Sequence, residues 1–317
     1  MGAPPAIGAR NQAVMRTLLP PSLRRGARIG IAAPAGPVRP ESFDKGLVYL
    51  ERRGFELVRG SHLTARRGYL AGSDAERLDD LNRLLADPSL DALWFARGGY
   101  GSARIIEQVD LNPLRSRPKA LIGYSDLTVL HAAVHRQLRL ATFYGPHVSE
   151  LGDPDLFDEA SLWTALSGDP GELIYPFPRA SVLRQGAAEG VLLGGCLSLL
   201  SSLVGTPFEV RTDGAILFLE DVGEEPYRID RMLAHLRLAG RLRGIHGLVV
   251  GVMVGCSAKE PANDLPLAEI LAAHLGDLEI PVVVDLQAGH VKGKMTLPLG
   301  RRVRLDTAAG HLAVHRR

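Results

Sequence analysis

The chain has 317 residues; 46% are hydrophobic, 23% charged and 5% aromatic, and the formal net charge is +2. That is room for two domains of about 150 residues, each with its own core. The near-balanced charge excludes a general nucleic-acid binder, and the apolar share excludes a mostly disordered chain.

The first stretch, Met1 to Leu23, holds Pro4, Pro5, Pro20 and Pro21 but no continuous apolar core. It is a poor signal peptide and reads as a flexible tail over residues 1–25. Ala27 to Ala33 reads as a strand closed by Pro34, Gly36 and Pro37; Ser42 to Arg52 reads as a helix and Phe55 to Val58 as a short strand. Asp74 is expected to cap a helix carried by Leu78, Leu81, Leu84 and Leu85 and stopped at Asp87-Pro88. Leu90 to Ala96 and Lys119 to Tyr124 follow as strands, with a helical Ser102 to Val109 between them. After Ser125, the spacing Leu127, Leu130, Val134, Leu138 marks an amphipathic helix.

Gly152 to Arg184 is irregular, with Asp153-Pro154, Gly168-Asp169-Pro170, Pro176 and Pro178, and reads as the domain junction. The expected division is a first domain over 26–150, a linker over 151–188 and a second domain over 189–317. In the second part, Ala215 to Leu219, Gly247 to Val254 and Pro281 to Val284 read as buried strands. Tyr227 to Leu238 and Leu265 to Leu275 read as helices. Both parts are thus expected to be α/β with mostly parallel sheets. The uncharged run Gly190 to Phe208 reaches membrane-spanning length. Its serines and glycines make it a buried element of a protein that does not cross a membrane. Cys196 and Cys256 cannot form a disulfide framework or a four-thiolate zinc site, and both read as buried reduced thiols.

The segment from Lys119 to Leu138, KALIGYSDLTVLHAAVHRQL, carries the most chemistry. A strand runs through Gly-Tyr-Ser-Asp directly into a helix, the turn that projects a nucleophilic serine, Ser125. The next amide, on Asp126, then sits at a helix start that favours a tetrahedral oxyanion. The competing reading is that Ser125 or Asp126 only caps the helix. The second glycine of lipase-type turns is absent, because Leu127 stands there. Arg97-Gly98-Gly99-Tyr100-Gly101-Ser102 also follows a strand and opens a helix, so its glycines let backbone N–H groups approach an anion. A dinucleotide fingerprint begins there and fails at Arg104. A plain glycine turn is the alternative.

Glu220 ends a strand and His290 lies in a loop after one. The order Ser125, Glu220, His290 therefore offers a nucleophile, an orienting acid and a base beyond strand ends. As alternatives, Glu220 is a helix-leading acid and His290 a surface residue. His131 and His135 are four apart on one helix without the glutamate of zinc proteases. Gly289 to Lys294 is one residue short of a phosphate loop, and Met295 replaces its Ser/Thr. The acids Glu220, Asp221, Glu224 and Glu225 read as a helix-leading run before they read as metal ligands.

IAAPAGPV from Ile31, GYLAGSDAERLDDLNRLLADP from Gly68, RGGYGSARI from Arg97 and LIGYSDLT from Leu121 occur in that order. LEDVGEEPYRIDRMLAHLRLAG from Leu219 and GHVKGKMTLPLG from Gly289 complete the set. Together these stretches resemble the serine LD-carboxypeptidases, which remove the terminal D-alanine from murein tetrapeptides, a family that also contains microcin-immunity peptidases. The resemblance spans about residues 26 to 310. It implies Ser125 as nucleophile, Glu220 as triad acid, His290 as base, and the N–H groups of Asp126 and Gly99 as oxyanion hole. It also implies a flavodoxin-like first domain with a parallel sheet, a second α/β domain, and an active site between them. A murein-derived peptide substrate, no metal or other cofactor, no nucleic-acid partner, a homodimer and a cytoplasmic location follow from it as well. Tyr144 stands where tetrapeptide carboxypeptidases often show His. Arg97 and Tyr100 are the candidates for substrate binding, Arg97 as receiver of the terminal carboxylate. The alternatives are a microcin-immunity-type peptidase or amidase with the same triad, and a nucleotide-binding α/β protein using Gly98 to Gly101.

Overall fold

Five short strands build the parallel part of the first sheet of this computed structural model, which describes residues 17–167, 173–260 and 264–315. They are β1 (Arg28–Ala32), β2 (Glu56–Arg59), β3 (Ala92–Phe95), β4 (Ala120–Gly123) and β5 (Thr142–Tyr144). Between them run α1 (Pro40–Arg52), α2 (Asp74–Ala86), α3 (Ser102–Ile105), α4 (Pro113–Ser116) and α5 (Thr128–Leu138). The strands pair in parallel in the order β2-β1-β3-β4-β5. That is the flavodoxin order, in which ligands gather beyond the carboxyl ends of the strands. β3 and β4 are buried at every position because both sheet faces are covered. Trp94 points into one apolar cluster with Ile29, Ile31 and Ile122, while Leu93 and Phe95 point into the other with Leu121.

The second sheet draws on β6 (Leu173–Pro176), β7 (Val182–Arg184), β8 (Ala187–Cys196), β9 (Ala215–Glu220), β10 (Gly247–Gly251), β11 (Val282–Leu286), β13 (Arg302–Asp306) and β14 (His311–Val314). Its helices are α7 (Leu197–Leu203), α8 (Pro226–Leu238) and α9 (Leu267–Leu275), and α6 (Glu159–Ser167) precedes β6. β8 to β11 pair in parallel, but β13, β14, β6 and β7 join antiparallel. The expectation of mostly parallel sheets holds for the first sheet and fails for the second. The carboxyl-terminal hairpin, turned at Thr307 to Gly310, pairs back on β8 and has no crossover helix to force parallel pairing. β12 (Leu297–Leu299) belongs to the other sheet, where it lies antiparallel to β5 with Leu297 opposite Tyr144. The chain thus leaves the second sheet after β11, adds an edge strand to the first and returns. Pro298 is tolerated there because an edge strand needs no second ladder.

Other local expectations are also corrected. Ser73, and not Asp74, caps α2: Ser73 Oγ accepts from Glu76 N at 3.2 Å, and Glu76 Oε2 accepts from Ser73 N at 2.7 Å. Sequence Ser73-Asp74-Ala75-Glu76 carries that capping box openly. The helix expected over Ser102 to Val109 is one turn of α3 followed by a 3-10 turn at Ile106–Gln108. The uncharged run 190–208 is the end of β8 and then α7, and no helix of the described residues is long and apolar enough to cross a membrane. Residues 173–176 and 182–184, within the expected linker, are the two edge strands of the second sheet. The tail is packed from Thr17 onward: Leu18 bridges Leu140, and Leu23 is buried in the first core. Residues 1–16 lie outside the described residues. Both cysteines are free and buried, as expected, and burial pushes the Cys196 thiol well up.

Candidate active site

Ser125 stands two residues beyond the end of β4 and opens a 3-10 turn that leads into α5. Its φ is +61°, one of three non-glycine residues among those described with positive φ. Such a backbone is costly for a side chain and persists where the surroundings enforce it. Gly123 makes the approach possible, since a Cβ there would sit 3.0 Å from the Phe95 ring. Neither Ser125 nor Asp126 caps the turn with its side chain. Ser125 Oγ instead meets His290 Nε2 at 3.0 Å. The Asp126 carboxylate is buried and accepts from Ser102 N at 2.7 Å, tying the turn to the start of α3. Burial raises its pKa, against the hydrogen bonds from Ser102 and Gly101.

Glu220 ends β9 with its side chain fully buried. Both oxygens are engaged. Oε1 accepts from Tyr144 Oη at 2.6 Å; Oε2 faces His290 Nδ1 at 2.7 Å and accepts His290 N at 3.1 Å. Burying a carboxylate this completely demands that both of its oxygens be hydrogen-bonded, as they are here. Gly289, at φ +96°, is required, because a Cβ there would collide with the Glu220 carboxylate. With Nδ1–H donated to Glu220, the Nε2 lone pair of His290 is directed at the Ser125 hydroxyl. The Tyr124 ring meets the imidazole edge-on, with centroids 4.9 Å apart.

Two features of the site went unread in the sequence. Tyr144 donates to Glu220 and accepts the Ser125 N–H at 3.2 Å, so one hydroxyl joins Glu220 to the Ser125 turn. Burial and then the Glu220 charge push its pKa far up, and it stays a donor. Beneath Tyr124 lies a second buried cluster. Glu150 Oε1 accepts from Lys294 Nζ at 2.7 Å and from Tyr124 Oη at 2.8 Å, while His147 stacks on Tyr124 at 4.4 Å. Burial alone would raise the Glu150 carboxyl. His147 and Lys294 outweigh it and hold the group at about 2. No local motif signals either feature; the partners are 76 and 144 residues apart.

The remaining candidates fall as follows. Gly98 packs against Ser125, its would-be Cβ 3.0 Å from Ser125 Cβ, which brings the Arg97 to Gly101 turn to the hydroxyl. Gly99 has φ +107° and continues that turn. Arg97 is half-buried and donates to Pro37 O at 2.7 Å; Tyr100 is exposed. His131 Nε2 bonds Gly123 O at 2.8 Å inside the core, so it and His135 form no outward-facing pair. Lys294 is spent on Glu150 and Leu156 O, which closes the Gly289 to Lys294 loop to a phosphate. Of the acid run, Asp221 accepts the N–H groups of Ser198 and Val222, and Glu224 and Glu225 pair with Arg228 and Lys259. A His62, Asp79, Asp80 group has ligand atoms within 4.8 Å of one another, yet Asp80 already accepts from Ser61 N and His62 N.

Comparison with known proteins identifies the family. Residues 29–145 match the LD-carboxypeptidase N-terminal domain and residues 189–305 the LD-carboxypeptidase C-terminal domain. A probable murein peptide carboxypeptidase of Bacillus subtilis is 37% identical over 292 residues, covering 91% of this chain and 92% of its own. The murein tetrapeptide carboxypeptidase of Pseudomonas aeruginosa is 32% identical over 291 residues, covering 88% and 93%. Among solved structures, the muramoyltetrapeptide carboxypeptidase of Oxalobacter formigenes superposes with a TM-score of 0.80 at 30% identity, over 91% of this chain and 98% of that one. The microcin C7 self-immunity protein MccF superposes with a TM-score of 0.85 at 25% identity, over 95% and 99%. The chain belongs to the LD-carboxypeptidase family and is a serine-type carboxypeptidase, a hydrolase.

Proposed function

We propose that the chain removes the carboxyl-terminal D-alanine from a murein-derived tetrapeptide through an acyl-enzyme on Ser125. The continuous contact from Ser125 Oγ through His290 to Glu220, at 3.0 and 2.7 Å, is the observation that carries this reading. Ser125 Oγ attacks the scissile carbonyl while His290 Nε2 takes its proton. The C–N bond then breaks as His290 returns the proton to the leaving D-alanine amine. Water, deprotonated by His290, cleaves the ester and restores the serine. Glu220 holds the Nδ1–H tautomer and stabilises the imidazolium.

The Ser125 N–H is taken by Tyr144, so the oxyanion falls to the amides of Asp126 and Gly99. Such donors are worth about 3 kcal/mol each. Arg97 is the receiver for a substrate carboxylate, with Tyr100 beside it. The first-sheet half, residues 26–150, and the second-sheet half from 189 act as the two domains. The working state is a cytoplasmic homodimer, to be checked by fractionation and sedimentation.

The likeness to MccF favours a second reading, a peptidase of microcin-immunity type with the same triad. The identities of 37% and 32% to murein peptide enzymes weigh for the first. Incubation with murein tetrapeptide and mass spectrometry decides between them. Tripeptide plus free alanine is expected; an intact tetrapeptide alongside a cleaved aminoacyl-nucleotide would favour the second.

A further inference from the structure

Three loops meet at the mouth of the site, and what they carry is positive and aromatic. The loop after β1 is tied to the turn after β3 by Gly36 N donating to Gly98 O at 2.9 Å and by the Arg97 guanidinium on Pro37 O. The loop before α2 is tied to the first through Ala71 N on Ala35 O at 2.9 Å, and it meets the turn after β3 through Tyr69 against Tyr100. Each loop brings an arginine: Arg39 at the N-cap of α1, Arg66, and Arg97 one residue from the glycine that touches Ser125.

None of the three forms a salt bridge among the described residues. Burial, then the charges of Arg39 and Arg66, hold the Arg97 pKa below its ordinary value, and no acid offsets them. Acids in the first turns of the adjoining helices are engaged elsewhere: Glu41 by Lys45, Asp74 by Arg77 and Arg104, Glu76 by the Ser73 cap. Tyr69 and Tyr100 add an exposed aromatic pair, 66% and 46% accessible, with ring centroids 5.9 Å apart. Side chains of that size gain most when a ligand covers them.

We infer that Arg39, Arg66 and Arg97, with the Tyr69–Tyr100 pair, form a rim subsite selective for peptides bearing several carboxylates. This rests on the peptidase reading and extends it from one terminal carboxylate to the acidic groups along the peptide. Arg97, already half-desolvated beside Gly98, takes a carboxylate near the scissile bond. Arg39 and Arg66, both exposed, attract those further out and are sensitive to salt. The tyrosines cover the apolar face of the peptide whatever its charge.

The test measures binding of two peptides to the Ser125→Ala protein by calorimetry. One is the murein tetrapeptide with free carboxyls; the other is the same peptide with its internal carboxyls amidated. The acidic peptide should bind about tenfold tighter near 20 mM salt, with the ratio shrinking near 200 mM. In Arg39→Gln/Arg66→Gln the ratio should fall to about two or less, and in Arg39→Lys/Arg66→Lys it should survive because the charge does. Tyr69→Ala/Tyr100→Ala should weaken both peptides alike. An equal affinity for the two peptides, or a preference untouched by Arg39→Gln/Arg66→Gln, overturns the subsite. Turnover by the unsubstituted enzyme separates the two claims. Cleavage without charge preference defeats only the subsite, and charge-selective binding without cleavage defeats only the peptidase reading.

Discussion

Ser125 and Glu220 both stand at the carboxyl ends of parallel strands, in different sheets, and are held by opposite means. Ser125 is placed by its backbone: a positive φ, Gly123 before it, Gly98 of the neighbouring turn packed against it, and an Asp126 side chain that anchors the turn to α3. Glu220 has an ordinary strand backbone and is placed by its side chain, wholly buried with each oxygen bonded. The proposed nucleophile is thereby held at the turn at the expense of local strain. The acid is sealed from water, so any lost partner leaves a buried charge uncompensated. Substitutions around the acid should therefore cost more per atom changed than those around the serine.

Glu220→Gln gives the largest effect in that contrast. The amide carries no charge to stabilise the imidazolium, and with its oxygen on the two His290 N–H groups its NH2 is left facing Tyr144 Oη, so kcat should fall about 10⁴-fold with the fold intact. A fall under tenfold would place the acid elsewhere. Next is Lys294→Met, which strips the half-buried Glu150 of its buried cation. About 3–5 kcal/mol of stability should disappear in urea unfolding, and much of it should return in Glu150→Gln/Lys294→Met. A loss below about 1 kcal/mol would mean water reaches the pair.

Tyr144→Phe probes the one hydroxyl shared by both regions. It removes a bond to a charged group, so a drop of about tenfold or more, in kcat and not in KM, is expected. A change confined to KM would remove Tyr144 from the triad's support. Smallest near neutral pH is the effect of acid. The Glu150 carboxyl is lowered from 4.5 to about 2, so its contribution is complete above about 4.5 and is lost as pH falls from there through 2. Unfolding curves should be flat in this respect between pH 5 and 8 and steepen below. Glu150→Gln should flatten the acid limb, and an unchanged limb would assign acid lability to other carboxylates.

The two regions also differ in how far the sequence exposes them. Ser125 is legible because the strand, turn and helix that aim it are contiguous in Lys119 to Leu138. Glu220 and His290 are legible as strand-end residues, each after its own apolar run. Tyr144 and Lys294 act through register and crossover. Tyr144 reaches Glu220 across two sheets, and Lys294 reaches Glu150 because β12 carries the chain back to the first sheet. β5, β6, β7 and β12 are three or four residues long, and β12 contains Pro298, too short and irregular for periodicity to mark. The α2 cap was visible in Ser73 and Glu76 and was obscured by the neighbouring Asp74.

Triad residues drawn from two sheets should behave as one unit, and turnover of murein tetrapeptide by Ser125→Ala, His290→Ala and the double variant tests this most directly. Each single variant should lose about 10⁴- to 10⁶-fold in kcat with unchanged circular dichroism, and the double variant should lose no more than either. Near-normal turnover in Ser125→Ala, or losses that multiply in the double variant, would contradict a serine nucleophile activated by His290.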